Sequence, residues 1–106
     1  MSVDFNRITS MPHVQEMREV VGIWEISIEQ CPVDFKVKVI RTGVIAAPYS
    51  GIANFAIKNP DQADSYYSYS NFQTVQEALE DSIRGFLTYY KIDKLENTKF
   101  TPVEGW

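Results

Sequence analysis

The feature that most constrains this chain is an amphipathic pattern that runs from Val75 to Tyr90. Apolar side chains recur there at three- and four-residue steps, which is the spacing of one face of an α-helix. Thr74 and Glu77 have the spacing of a capping box, in which the Thr74 hydroxyl accepts from the Glu77 amide and the Glu77 carboxylate accepts from the Thr74 amide. The sequence therefore predicts a helix over residues 75 to 90. Its core-facing stripe consists of Val75, Ala78, Leu79, Ser82, Ile83, Phe86, Leu87 and Tyr90.

The opposite side of this helix is polar and mostly acidic. It carries Gln76, Glu77, Glu80, Asp81 and Arg84, and the spacing of Glu80 and Arg84 predicts an i,i+4 ion pair. An acidic side of this kind fits a basic protein partner.

Alternating segments earlier in the chain predict an antiparallel hairpin. Residues 24 to 29 and residues 35 to 39 each alternate apolar and polar side chains, as half-buried strands do. The expected register places Ile28 by Phe35, Ile26 by Val37, Trp24 by Val39, Glu25 by Lys38 and Ser27 by Lys36.

Two further strands and a first helix complete the predicted fold. Residues 52 to 58 form the third strand, and the aromatic run 65 to 72 forms the fourth after a turn at residues 59 to 64. Pro12 and Gly22 bracket a short amphipathic helix with Val14, Met17, Val20 and Val21. The expected class is α+β: a short N-terminal helix, a four-stranded antiparallel meander, a helix packed on one sheet face and an extended tail, arranged as a two-layer sandwich.

Composition predicts one soluble domain. A chain of 106 residues with 44% hydrophobic content suits a single core over residues 1 to 106, with residues 1 to 10 as a flexible arm and 97 to 106 as a tail. The N-terminus lacks the apolar region of a secretory signal, and no apolar run is long enough to span a membrane, so we expect a cytoplasmic protein. A net charge of −4 makes nucleic acid an unfavoured partner.

The sequence nominates no catalytic, metal or cofactor residues. His13 is the only histidine and Cys31 the only cysteine, so neither a triad nor a multi-thiolate zinc site is indicated. Asp61 and Asp64 lie in the turn at 59 to 64 and lack the spacing of a calcium loop. We therefore expect no cofactor and no metal, and a non-catalytic role is the leading hypothesis.

Tyrosines and the tail are the predicted contact residues. Tyrosine combines a large apolar area with a polar tip, which suits interfaces, and a tryptophan at the end of a tail is costly to expose. The partner-binding candidates are Tyr66, Tyr69, Glu77, Glu80, Asp81 and Trp106. The expected function is a protein-binding module of adaptor, antitoxin, immunity or inhibitor type. It is expected to form a homodimer in which the tail packs between subunits.

Two alternatives remain open from the sequence. A small-molecule binder or simple enzyme would use a pocket between sheet and helices, lined by Trp24, Tyr67 and Tyr90 with Tyr69, where Gly51 and neighbouring alanines leave room. A single-stranded nucleic-acid binder would instead use Lys36, Lys38 and Tyr66 as a stacking platform.

The segment Phe72 to Leu79 resembles the join between the last strand and the helix in HicB-like antitoxin domains, where a T-x-x-E-A-L-like start follows the strand. The resemblance covers only this join and implies an antitoxin-type role. The order of helix, strands and helix also resembles double-stranded RNA-binding domains, but those begin their second helix with lysines. Here that start carries Glu77, Glu80 and Asp81, which repel phosphate.

Overall fold

A computed structural model describes residues 3 to 106 of the chain and shows an α+β protein. The elements in chain order are α1 (Phe5–Thr9), β1 (Glu19–Ile26), β2 (Phe35–Arg41), β3 (Tyr49–Ala53), β4 (Phe55–Lys58), β5 (Asn71–Phe72), α2 (Val75–Tyr89), a 3₁₀ helix (Ile92–Asn97) and β6 (Lys99–Pro102).

The strands form one antiparallel sheet of four strands in the order β1-β2-β3-β5, and α2 packs on one of its faces. Strands β4 and β6 form a second, two-stranded antiparallel sheet. The predicted class is thereby confirmed: a short N-terminal helix, a four-stranded antiparallel sheet, a helix on one face and a C-terminal tail.

The core lies between β2, β3 and α2. Alternate residues of β2 point towards the helix, and Phe35, Val37 and Val39 are buried. The rings of Phe35 and Phe86 have centroids 4.2 Å apart, so this pair joins the sheet to the middle of α2. Gly51 of β3 permits the close approach of α2, because a Cβ at this position would overlap the carbonyl oxygen of Ala78.

The predicted helix is confirmed as α2, with one difference in its cap. The Glu77 amide donates to Thr74 Oγ1 over 3.1 Å, as expected. The Glu77 carboxylate, however, accepts from the Thr74 hydroxyl at 3.0 Å, so the second capping bond joins two side chains. Glu80 accepts from Gln76 Nε2 at 3.0 Å, in place of the predicted pair with Arg84.

The hairpin is confirmed, but its predicted register is wrong by two residues. Trp24 lies opposite Val37 and Glu25 lies opposite Lys36, and a shift of two residues keeps every side chain on the expected face. The cause is a loop of residues 27 to 34, in which Gln30 takes a left-handed conformation with φ 59°. Ser27 and Ile28 therefore belong to the loop and do not pair with β2.

The predicted position of the first helix is wrong. The segment between Pro12 and β1 forms no helix, and β1 begins at Glu19 with Val20 opposite Ile40. The β-branched side chains of Val20 and Val21 favour a strand once β2 offers a pairing edge. The N-terminal helix is α1, which Asp4 caps by accepting from the Arg7 amide at 3.2 Å. Residues 1 and 2 of the expected flexible arm lie outside the described residues.

The third and fourth strands are shorter than predicted. The third is interrupted at Asn54. It ends there as β3 of the main sheet, and the chain continues as β4 of the second sheet. Of the aromatic run, only Asn71 and Phe72 form a strand, and a separate antiparallel bridge joins Tyr66 to Ile57. Between these two points the chain carries Tyr67 and Tyr69 outwards, and both are exposed.

Asn54 connects the two sheets through four hydrogen bonds. Its side-chain oxygen accepts from the Lys36 amide at 2.8 Å, and its side-chain nitrogen donates to the Asp34 carbonyl at 2.7 Å. Its backbone amide donates to the Lys36 carbonyl, and its carbonyl accepts from the Val103 amide, both at 2.9 Å. One residue thus joins the hairpin loop, β2 and the tail.

Candidate functional site

An open groove of about 1290 Å³ lies on one face of the sheet. Ile40 and Ile52 form part of its floor, and they alternate with the residues that face α2, so the groove opens on the other side of the sheet. Its walls come from the N-terminal segment and from residues after the Tyr66 bridge. The lining residues include Val3, Phe5, Met17, Arg18, Glu19 and Tyr69.

The charged side chains of the groove are already paired with one another. Arg41 Nε donates to Glu19 Oε2 over 2.8 Å, and its guanidinium lies 5.0 Å from the centre of the Tyr49 ring. The hydrogen bond to Glu19 is the main cause that raises the pKa of Arg41. Arg18 has Glu16 as an ion-pair partner at 3.4 Å. The groove therefore offers a mostly apolar surface with a neutral balance of charge at its rim.

Tyr69 connects this groove to the acidic side of α2. Its side chain is 80% exposed, the largest exposure of any aromatic side chain in the described residues. Tyr66 is half-buried, and its ring centroid lies 5.1 Å from that of Tyr89. Burial raises the pKa of Tyr66, and the nearby charge of Asp81 raises it further, followed by Tyr89 and Tyr69. The structure thus brings Tyr66, Tyr69 and Asp81 into one neighbourhood.

Glu77 and Glu80 extend this neighbourhood along α2, and both are exposed. We call the five residues Tyr66, Tyr69, Glu77, Glu80 and Asp81 the acidic tyrosine surface. This surface includes five of the six predicted partner-binding residues.

Trp106, the sixth candidate, lies elsewhere and docks on the chain's own sheet. Its indole Nε1 donates to the Ile52 carbonyl at 2.7 Å. The Lys38 ammonium donates to the Trp106 carbonyl and lies 5.1 Å from the centre of the indole ring. Within this chain the end of the tail thus packs on the sheet face opposite α2, whereas Phe100 of β6 packs against Phe86 of α2.

The three predicted pocket residues do not come together. Trp24 covers Gly22 on β1, and Tyr67 is exposed. Tyr90 stacks on Phe86 with centroids 6.0 Å apart and donates its hydroxyl to the Glu29 carbonyl at 2.5 Å. None of the three lines the groove. The space expected around Gly51 is occupied by the α2 backbone.

The predicted nucleic-acid platform is not assembled. Lys36 and Lys38 lie on the sheet face away from α2, whereas the Tyr66 hydroxyl lies against Gly85 of α2. Lys38 is engaged by Trp106 and Lys36 lies opposite Glu25. Tyr66, the predicted stacking ring, therefore does not lie beside these two lysines as the platform requires.

The isolated histidine and cysteine remain isolated. His13 is exposed in a loop with φ 71°, and Cys31 is half-buried in the hairpin loop. Across residues 3 to 106, no group of three or more His, Cys, Asp or Glu side chains is placed to hold a metal ion.

Sequence reasoning missed an apolar sheet edge at β1. Val20, Val21 and Ile23 are exposed by 50%, 39% and 57%, although all three belong to a strand. The sequence pattern assigned Val20 and Val21 to a helix and left Ile23 between that helix and the strand predicted from Trp24. The groove was also missed, since its lining comes from five separate parts of the chain.

No protein-family model, curated protein or solved structure matches the chain. No helix among residues 3 to 106 combines the length and apolarity needed to cross a membrane.

Proposed function

We propose that this protein is a non-catalytic, cytoplasmic protein-binding module of the adaptor, antitoxin, immunity or inhibitor type, that it acts as a homodimer, and that its partner presents a basic segment. The observation that supports this most directly is the exposed ring of Tyr69 beside the acidic side of α2. A ring of this size that is held out to solvent gains contact area and loses little conformational entropy on binding.

The chemistry of the acidic tyrosine surface favours a basic partner over an acidic one. Glu77, Glu80 and Asp81 lie within two turns of α2, and their combined field attracts lysine and arginine side chains at a distance. The tyrosine rings beside them accept the aliphatic stems and the charged ends of such side chains. Charge supplies attraction and the rings supply contact area, which is the usual division of roles in a protein interface.

The test reverses the charge of this surface and compares it with an equal reversal elsewhere. The variant Glu80→Lys with Asp81→Lys changes the net charge by the same amount as Glu96→Lys with Glu104→Lys, two exposed residues outside the surface. Fluorescence anisotropy at low salt measures the affinity of each for a lysine-rich peptide. We expect about a tenfold loss for the first variant only.

The same two variants serve as baits in extracts of the source cell. Proteins captured by the wild type and by the control, but lost with Glu80→Lys and Asp81→Lys, are specific partners. Equal losses with both variants contradict the proposal, because net charge alone then explains binding. Unchanged affinity with both variants also contradicts it. Circular dichroism confirms that both variants keep their helix content.

The groove supports a second candidate function, the binding of an apolar small molecule. It combines an apolar floor at Ile40 and Ile52 with the ring of Tyr69 at its mouth. Ligand pockets of proteins are largely apolar with few polar groups, and the paired charges at the rim meet that description.

Thermal shift against a panel of long-chain alcohols and carboxylates tests this candidate, since a bound ligand raises the melting temperature. Met17→Asp places a charge in the groove, and Met11→Asp makes the same change at an exposed residue outside it. We expect stabilisation of the wild type and of the Met11 variant, and its loss with Met17→Asp. A panel that stabilises none of the three proteins contradicts the candidate.

A further inference from the structure

The outer edge of β1 is the longest unpaired strand edge in the described sheet. The strand order β1-β2-β3-β5 leaves β1 with a partner on one side only, and β1 is 8 residues long. A strand edge presents a row of backbone donors and acceptors that will pair with another strand, so monomeric proteins protect it with charge, proline or a covering segment. The β1 edge carries one bulge, between Val20 and Gly22, and the charges of Glu19 and Glu25, but it also exposes Val20, Val21 and Ile23.

We propose that β1 pairs antiparallel with β1 of a second copy of this chain, so that two four-stranded sheets become one continuous sheet with Ile23 opposite Ile23 of the second copy. This inference rests on the proposed function in one respect, since it supplies the interface of the proposed homodimer. It uses no residue of the acidic tyrosine surface, so the two can fail separately.

Pairing of two copies in a closed dimer fits this edge better than open-ended pairing of many copies. Pairing of β1 with the opposite edge of another molecule would require β5, which has only 2 residues and offers almost no ladder. Pairing of β1 with itself closes after two subunits, because both long edges are then used. A twofold axis perpendicular to the sheet makes the strands antiparallel, and it requires one residue to lie opposite its own copy.

The bulge of β1 and burial select Ile23 as that residue. A register centred on Gly22 would place the β-bulge between Val20 and Gly22 of both copies beside the twofold axis, where it interrupts the ladder. A register centred on Trp24 would place Ile23 opposite Glu25 of the second copy and would bury no aliphatic pair. Centring on Ile23 removes both exposed Ile23 side chains from water and opposes no two acidic residues.

The same register is consistent with the surroundings of the edge. It sets Gly22 opposite Trp24 of the second copy, so that two large side chains do not lie directly opposite each other. The β-bulge between Val20 and Gly22 interrupts the regular ladder beyond Gly22. Because the two strands run antiparallel, the hairpin loop of the second copy lies towards the Arg18 end of β1, and this loop carries the exposed Glu29, whose charge complements Arg18.

Light scattering after size exclusion tests the dimer with one variant and one matched control. Ile23→Glu places two carboxylates opposite each other across the interface, while within the chain the new side chain lies opposite Lys38, so the monomer is not disfavoured. Ile45→Glu makes the same change at a loop residue that is 97% exposed. We expect twice the chain mass for the wild type and the Ile45 variant, and a fall to half that mass for Ile23→Glu.

Disulfide formation tests the register. In a Cys31→Ser background, Ile23→Cys would place two thiols on residues directly opposite each other, within the range of Cα separations that a disulfide spans. Glu25→Cys is the control, because in this register the two copies of residue 25 are four positions apart, about 13 Å. We expect Ile23→Cys to crosslink roughly tenfold faster or more than Glu25→Cys, since pairing raises the local thiol concentration.

Each contrary result overturns a stated part of the inference. A wild-type monomer at micromolar concentration, or a dimer that survives Ile23→Glu, removes β1 as the interface. A mass above two chains shows open-ended pairing and excludes the twofold dimer. Faster crosslinking of Glu25→Cys overturns the register. Peptide binding by a monomeric Ile23→Glu variant would show that the acidic tyrosine surface works without the dimer.

Discussion

The two faces of the main sheet are built from alternate residues of the same strands, yet they differ in what they contribute. On the face beneath α2, Phe35, Val37 and Val39 have at most 1% of their surface exposed. On the opposite face Lys36 and Lys38 are half-buried. The first face is closed by one long helix, whereas the second is covered only in part, by the N-terminal segment and the tail. Side chains on the covered face stabilise the fold, and those on the open face remain available to ligands and partners.

The largest effect is expected on the covered face. Phe86→Ala removes the ring that contacts Phe35 and leaves a cavity, which typically lowers the free energy of unfolding by about 3–5 kcal/mol. Leu87→Ala is the matched control, because Leu87 is the next residue of α2 and is 44% exposed. Urea denaturation measures both variants. Similar losses for the two would contradict the assignment of the covered face as the source of stability.

Close approach of α2 to β3 predicts a smaller loss at Gly51. Gly51→Ala introduces a methyl group that meets the Ala78 carbonyl, and overpacking of this kind costs about 1–3 kcal/mol. Gly43→Ala adds the same atom where nothing lies within 4 Å. We expect the midpoint of urea denaturation to fall for Gly51→Ala only. If the midpoint fell equally for Gly43→Ala, the effect would come from replacing a glycine and not from contact with the Ala78 carbonyl.

On the open face, Trp106→Ala is expected to cost less than Phe86→Ala. The change removes the hydrogen bond to the Ile52 carbonyl and the contact with the Lys38 ammonium, together about 2 kcal/mol for a half-buried ring. Trp106→Phe keeps part of the ring contact, so its stability should lie between that of the wild type and that of Trp106→Ala. Thermal unfolding monitored by circular dichroism ranks the three proteins. If Trp106→Ala lost as much stability as Phe86→Ala, the two faces of the sheet would contribute equally to stability, against this prediction.

The smallest effect concerns pH and Tyr66. Burial raises the pKa of Tyr66 above its ordinary value of 10.0, so the folded state holds this proton more tightly than the unfolded chain does. The resulting stabilisation is complete below the unfolded pKa and is lost as pH rises through the folded pKa. Tyr66→Phe keeps the ring and removes the proton. We expect its stability to fall less than that of the wild type between about pH 9 and pH 11, as urea midpoints measure.

Local patterns predicted the elements whose partners lie nearby in the sequence. The α2 stripe, its Thr74 cap and the faces of the hairpin depend on residues within a few positions of one another. The structure agrees with them except at Leu87, which is exposed, and in the second capping bond. The register of the hairpin depends on the length of its loop, which the left-handed Gln30 and the turn from Ile28 to Cys31 determine. Alternation specifies on which face of the sheet each side chain lies. A register shifted by two residues keeps every side chain on the same face, so the alternating pattern does not distinguish it from the correct register.

The remaining elements and the candidate site depend on contacts between residues that are far apart in the sequence. Val20 and Val21 suit a helical stripe or a strand, and only the edge of β2 selects the strand. The acidic tyrosine surface was predicted in composition, since Tyr69 and the α2 acids were named from the sequence. The groove and the β1 edge were not predicted, because both depend on which segments leave the sheet uncovered. Composition does not specify such gaps.

The four hydrogen bonds of Asn54 have a consequence for the dynamics of the molecule. They connect the Lys36 amide of β2 and the Val103 amide of the tail to one residue, so neither segment opens without disturbing the other. The two sheets should accordingly unfold as one cooperative unit, and amide hydrogen exchange at Lys36 and Val103 should proceed at matching free energies of opening. Asn54→Ala would separate these values, with the tail exchanging first.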